Sequence, residues 1–151
     1  DNYLNTLTIS NVESIVGGTV TDIITIDTEV TGGGFNLGAG NDSITFTDGV
    51  TATISSIETI TSAAEDDAIT LVANYSGGTL DLGAGTDYVF FATAGTATIS
   101  NAEIITGGAG VNVITLSGSQ NTSVDLGTGD DKIIHIEQYA HRPILTLPNE
   151  K

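Results

Sequence analysis

Cysteine, methionine and tryptophan are absent from this chain, proline occurs only at Pro143 and Pro148, and Lys and Arg together number 3. Each absence closes off a class of chemistry. Without cysteine there is no disulfide, no thiolate nucleophile and no cysteine zinc site. Histidine occurs only at His135 and His141, so no Ser or Thr in residues 1–134 has an imidazole nearby in sequence to activate it. No apolar run approaches the roughly 18 residues needed to span a bilayer as a helix. Nothing at Asp1 has the basic-then-apolar character of a signal peptide, which implies a mature fragment or a different export route.

The cations are as notable for their position as for their number. They are Lys132, Arg142 and Lys151, so residues 1–131 hold 17 of the 19 carboxylates and no Lys or Arg. The formal net charge is -16 and the pI near 4.1. Self-repulsion of that size opposes compaction unless something from solution neutralises it. Nucleic acid and anionic membranes are poor partners for such a surface, and metal cations are good ones. Yet 39% of the chain is hydrophobic and its mean hydropathy is +0.18, unlike an acidic disordered segment.

What the chain has in abundance is repetition. LTISNVESIVGG begins at Leu7, ATISSIETITSA at Ala52 and ATISNAEIITGG at Ala97, each 45 residues from the last. FNLGAGNDSITF from Phe35, LDLGAGTDYVFF from Leu80 and VDLGTGDDKIIH from Val124 recur alongside, at steps of 45 and 44. Within them lies a nine-residue theme, x-G-x-G-x-D-x-U-x with U apolar: LGAGNDSIT, LGAGTDYVF and LGTGDDKII. Worn versions are GGTVTDIIT, SAAEDDAIT and GGAGVNVIT. The acidic position then reads Asp22, Asp42, Asp67, Asp87, Asn112 and Asp131. One turn per coil predicts six turns stacked in a single column. Between turns, DIITI, SITF, AITL, YVFF, VITL and KIIHI alternate like short strands bounded by Gly, Asn and Asp. The expected core is Ile9, Ile15, Ile24, Phe35, Leu37, Ile44, Phe46, Ile54, Ile60, Ile69, Leu71, Leu80, Leu82, Val89, Ile99, Ile105, Ile114, Leu116, Val124, Leu126 and Ile133.

A glycine–aspartate turn has the parts of a calcium site. Ca²⁺ takes six to eight oxygen ligands at about 2.3–2.6 Å. Gly38 and Gly40, Gly83 and Gly85, and Gly127 and Gly129 free the backbone to turn carbonyls inward, and an Asp follows each pair. Two such turns stacked at the strand spacing of about 4.8 Å could share an ion. Here the sequence resembles the RTX family of secreted bacterial repeat proteins, whose nonapeptide is G-G-x-G-x-D-x-U-x, over roughly residues 7–136. The resemblance implies calcium bridging successive turns and driving folding after export, with Asp42, Asp87 and Asp131 as the best ligands. Asp22 and Asp67 follow with turns that lack the second glycine, and Asn112 keeps an oxygen but loses a charge. Family coils carry two nonapeptides and this chain has one per coil, so at most one column of ions is expected. The competing account is that these Asp side chains form Asx-turns with nearby amides.

Other candidates carry less. Glu13, Glu58 and Glu103 share one repeat position and are expected to line one face on every second coil, solvated, with nothing basic to differentiate an acid–base pair. Two histidines without a metal-ligand spacing do not make a zinc site. The TAT triplets at 51–53 and 96–98 would present threonines along a face that could match ice, although Thr is also an ordinary strand surface residue.

These observations predict an all-β solenoid, parallel β-helix or β-roll-like, with about six coils in three 45-residue repeats over residues 1–136 and a C-terminal cap or tail at 137–151. The expected role is non-enzymatic: a calcium-stabilised structural module of a secreted or cell-surface bacterial protein, in a surface layer, adhesin or filament, with self-association through its ends. The alternatives are a ligand-binding solenoid for ice or polysaccharide and a β-helical carbohydrate-active enzyme. Threonine ranks or aromatic rows would mark the first, and turnover dependent on Glu58 the second.

Overall fold

In the computed structural model, which describes residues 3–118 and 121–136, every regular element is a β-strand. The expected tail at 137–151, with His141, Arg142 and Lys151, lies outside the described residues. Five strands come from each repeat. The first supplies β1 (Asn5–Ile9), β2 (Ser14–Val16), β3 (Asp22–Ile26), β4 (Val30–Asn36) and β5 (Ser43–Phe46). The second supplies β6 (Val50–Ser55), β7 (Thr59–Thr61), β8 (Ala68–Leu71), β9 (Tyr75–Asp81) and β10 (Tyr88–Phe91). The third supplies β11 (Gly95–Ser100), β12 (Ile104–Thr106), β13 (Asn112–Ser117), β14 (Ser123–Asp125) and β15 (Lys132–Ile136).

Odd-numbered strands form one eight-stranded sheet, here sheet I, and even-numbered strands a seven-stranded sheet, sheet II, with neighbours in sequence order and every pairing parallel. Two strands make one turn, so the chain winds a β-solenoid of about seven turns. Paired residues lie 16 to 20 apart in sequence, tighter than the coils of 19 to 25 residues that one turn per coil implies from the spacing of Asp22, Asp42, Asp67, Asp87, Asn112 and Asp131. The difference from six coils has one cause. A 45-residue repeat holds five strands, which is two and a half turns rather than two. Because five is odd, each repeat begins on the sheet opposite to the one where its predecessor began.

The core is a single column between the sheets. Along each strand alternate side chains point inward, so Ile24 and Ile26 of β3, Ile44 and Phe46 of β5, and Val89 and Phe91 of β10 are buried. Phe35 of β4 meets Phe46 of β5 edge-to-face across the core, with centroids 5.5 Å apart. Most of the expected core is buried as read, while Ile9, Ile15, Leu116 and Val124 are partly buried against it. Ile133 is not: it is 50% exposed, because β15 pairs only with β13 among the described residues. Inward positions without a striking apolar run, such as Val30, Val50, Ala52, Ile57, Tyr75, Phe91, Ala97 and Ala102, complete the core. Tyr75 is accommodated because its hydroxyl donates to the Ile57 carbonyl at 2.7 Å.

Candidate cation site at the stacked turns

The glycine–aspartate turns stack in three pairs and do not form one column of six. Residues 17–22 pair with 37–42, 62–67 with 82–87, and 107–112 with 126–131. The first and third pairs lie where the chain passes from sheet II to sheet I, and the second lies on the opposite edge. Asp42 and Asp87 therefore occupy opposite edges, one before β5 and the other before β10. Asp131 shares an edge with Asp42, but β7, β9, β11 and β13 separate their rungs. The expected single column is corrected on both counts by the half-turn in each repeat.

Within a pair the turns are held backbone to backbone. Ala39 N–H donates to the Gly18 carbonyl at 3.0 Å, Ala84 to Ala63 at 3.2 Å and Thr128 to Gly108 at 3.2 Å. The close approach sets the residue at the first glycine. At Gly83, φ is +83° and a Cβ would run into the Ala63 carbonyl. Gly38 and Gly127 repeat that conformation, while Gly40 keeps clear of Asp42 Oδ1, which a Cβ would approach at 2.7 Å.

The acidic side chains point inward, at the same parity as the isoleucines that follow them. Asp22, Asp42, Asp67, Asp87 and Asn112 are at most 2% exposed. Each upper Asp caps the amide of the residue one rung away: Asp42 Oδ1 accepts Asp22 N–H at 2.7 Å, Asp87 Oδ1 accepts Asp67 N–H at 2.9 Å, and Asp131 Oδ1 accepts Asn112 N–H at 2.8 Å. The ladder continues past the turns. Glu58 Oε2 accepts Asp42 N–H at 2.7 Å and Glu103 Oε2 accepts Asp87 N–H at 2.8 Å. At the other end Asp67 Oδ1 accepts Val50 N–H at 2.8 Å, and Asn5 Nδ2 donates to Asp22 Oδ1 at 2.6 Å.

Two expectations change accordingly. Glu58 and Glu103 are ladder termini on opposite edges, not a solvated row on one face; their constant 16-residue offset from Asp42 and Asp87 was the available signal. Asx-turns do occur, but they are made by Asn36, Asp81 and Asp125, whose Oδ1 atoms accept from Gly38, Gly83 and Gly127 at 3.1, 3.4 and 3.1 Å. The buried Asp residues serve the neighbouring rung instead.

That service leaves oxygens over. Asp42 Oδ2 and Asp87 Oδ2 are buried with no hydrogen-bond partner, as is Asn112 Oδ1. Burial raises the carboxyls of Asp42 and Asp67 above the ordinary range. It pushes Asp87 up to about 6, with the charges of Asp67 and Glu103 adding to the effect. A hard cation suits such a place, since the turns offer only oxygen donors. Among the described residues no three Asp, Glu or His side chains converge to hold a metal. The first and second turn pairs therefore offer two carboxylates each and the third, with Asn112, offers Asp131; carbonyls would supply the remaining protein ligands. His135 lies exposed on β15, far along the stack from the first two pairs. Comparison with family models, curated proteins and solved structures finds no match to this chain.

Proposed function

We propose that this chain is a structural module: a stacked solenoid whose buried carboxylates are neutralised by Ca²⁺, serving in a secreted or cell-surface assembly such as a surface layer, adhesin or filament. The observation that carries it is the pair of buried, unpartnered carboxylate oxygens at Asp42 and Asp87, in a chain with no Lys or Arg through residue 131. An ionised carboxylate in that position is costly without a positive partner. An ion that binds only the stacked form adds its binding free energy to folding. The turn motif's resemblance to RTX repeats points the same way. A non-catalytic role is supported by the absence of Lys, Arg and His from residues 1–131, which hold 17 of the carboxylates. Filament or layer formation draws support from β1 and β15, each paired on one side only among the described residues. No helix of the described residues is long and apolar enough to cross a membrane.

The test is thermal unfolding followed by circular dichroism in calcium and in EDTA. At a calcium concentration about 100-fold above Kd, the stabilisation is about 2.7 kcal/mol, which raises Tm by several degrees. Identical melting curves would overturn the calcium role and leave the solenoid standing.

A second reading has its own observation. Thr8, Thr25, Thr45 and Thr61 stand side by side across β1, β3, β5 and β7 of sheet I, and Thr59, Thr79, Thr98 and Thr115 do the same across β7, β9, β11 and β13. Of the TAT triplets anticipated from the sequence only Thr98 joins these rows, since the triplets lie on different sheets. A row of hydroxyls at the strand repeat supports binding of ice or a polysaccharide. Ice-affinity partitioning and polysaccharide pull-down, with Thr45→Tyr as control, test it; equal retention of the variant would eliminate this face as the binding surface.

A further inference from the structure

The three turn pairs handle one buried position in three ways. The lower turn of each pair carries Asp22, Asp67 or Asn112 at its end and Gly17, Ser62 or Gly107 at its start. In the third pair Asn112 Nδ2 donates to the carbonyls of Gly110 and Leu126 at 3.2 and 3.3 Å and reaches Asp131 Oδ1 at 3.4 Å. The amide orientation is forced by chemistry, because the reverse would set Oδ1 against three acceptors. The partly positive N–H₂ of a neutral amide thus sits among oxygens from both turns, in the place a cation would take.

In the second pair that place belongs to a carboxylate, and the Ser62 hydroxyl donates to Asp67 Oδ2. One unpartnered oxygen, Asp87 Oδ2, remains there. The first pair has neither the amide of Asn112 nor the hydroxyl of Ser62; there Asn5 Nδ2, from the rung below, donates to Asp22 Oδ1 at 2.6 Å. Asp22 stands where Asn112 supplies an amide, and Gly17 stands where Ser62 supplies a hydroxyl. A Cβ at Gly17 would collide with the Leu37 carbonyl oxygen and lie 2.7 Å from Asp22 Oδ2, so no side chain fits there and these two oxygens close over Gly17 side by side. Leu37 is the counterpart of Leu126 in the repeat. Asp42, stacked on Asp22, adds its own unpartnered Oδ2.

We propose that Ser62 and Asn112 are built-in replacements for a cation, and that the first turn pair is the one that draws Ca²⁺ from solution, through the Asp22 and Asp42 carboxylates and the Leu37 carbonyl. This rests on the calcium role proposed above and sets its stoichiometry: one ion per chain, on one edge, near the N-terminal end of the stack. On this assignment the sequence-derived ranking changes at three positions, since Asp22 becomes a ligand while Asp87 and Asp131 do not.

The experiment uses the full chain, CaCl₂ as the probe, equilibrium dialysis for stoichiometry and dichroism-monitored melting in calcium and EDTA. The unsubstituted chain should bind one ion and melt higher in calcium. Asp22→Asn, which installs the third pair's amide in the first, should keep the β spectrum, lose ion binding at least tenfold and melt in EDTA no lower than the parent. Asn112→Asp should do the converse, binding a second ion and becoming less stable in EDTA. Retained binding in Asp22→Asn, or a stoichiometry still at one in Asn112→Asp, overturns the assignment while calcium dependence stands. A parent chain blind to calcium overturns both. Should Asp22→Asn not fold, the stoichiometry of Asn112→Asp decides.

Discussion

A carboxylate placed inside a protein must find donors, lose its charge or attract a counter-ion. Asp87 shows the balance. One oxygen accepts the Asp67 amide, the other has no partner, and its pKa rises to about 6. The folded chain then binds more protons than the unfolded chain between about 3.8 and 6, so stability falls as pH rises through that window. In EDTA, Tm should therefore decrease from pH 4 to pH 7, and Asp87→Asn should flatten the curve; a variant with the parent's pH profile would show that Asp87 is not the titrating group. That these residues face inward is legible in the sequence: in DIITI the Asp holds the same parity as the buried isoleucines. What was not legible is their partner, because the amide each one caps lies a full turn away in sequence.

Among the elements, the short strands and their turns carry different vulnerabilities. Gly83 and Gly77 both have positive φ, +83° and +82°, but only Gly83 faces a backbone carbonyl where a Cβ would go. Gly77→Ala should cost about 1–2 kcal/mol from the left-handed conformation alone. Gly83→Ala should cost clearly more, because the neighbouring rung has to move; urea unfolding of the two variants compares them, and equal losses would contradict the close stacking. Ile60, fully buried in the middle of sheet I, should lose about 2–5 kcal/mol on truncation to alanine, measured the same way. The strands and turns were readable because alternation and Gly–Asp boundaries are local signals. The sequence implies two coils per repeat and the structure has two and a half, since a period counts residues and says nothing of how far the chain has rotated.

For the whole molecule, charge is the dominant long-range force. Carboxylates line both edges, and a cleft on the edge opposite the first turn pair gathers Glu29, Asp48, Glu65 and Asp66. Monovalent salt should stabilise the chain by screening, raising Tm in EDTA between 10 and 300 mM NaCl. Calcium at equal ionic strength should raise it further. A salt series that reproduces the full calcium effect would reduce the ion's role to screening.

Composition and periodicity by themselves determined that this is a solenoid of parallel strands with an apolar centre and acidic turns, because each rung repeats local signals that need no distant partner. Tertiary structure alone decided which turns meet. Five strands per repeat turn each copy half a revolution from the last, so identical motifs face opposite ways, and only stacking shows that the Asn112 amide meets carbonyls of both turns in its pair while Asp22 holds the same position in the first.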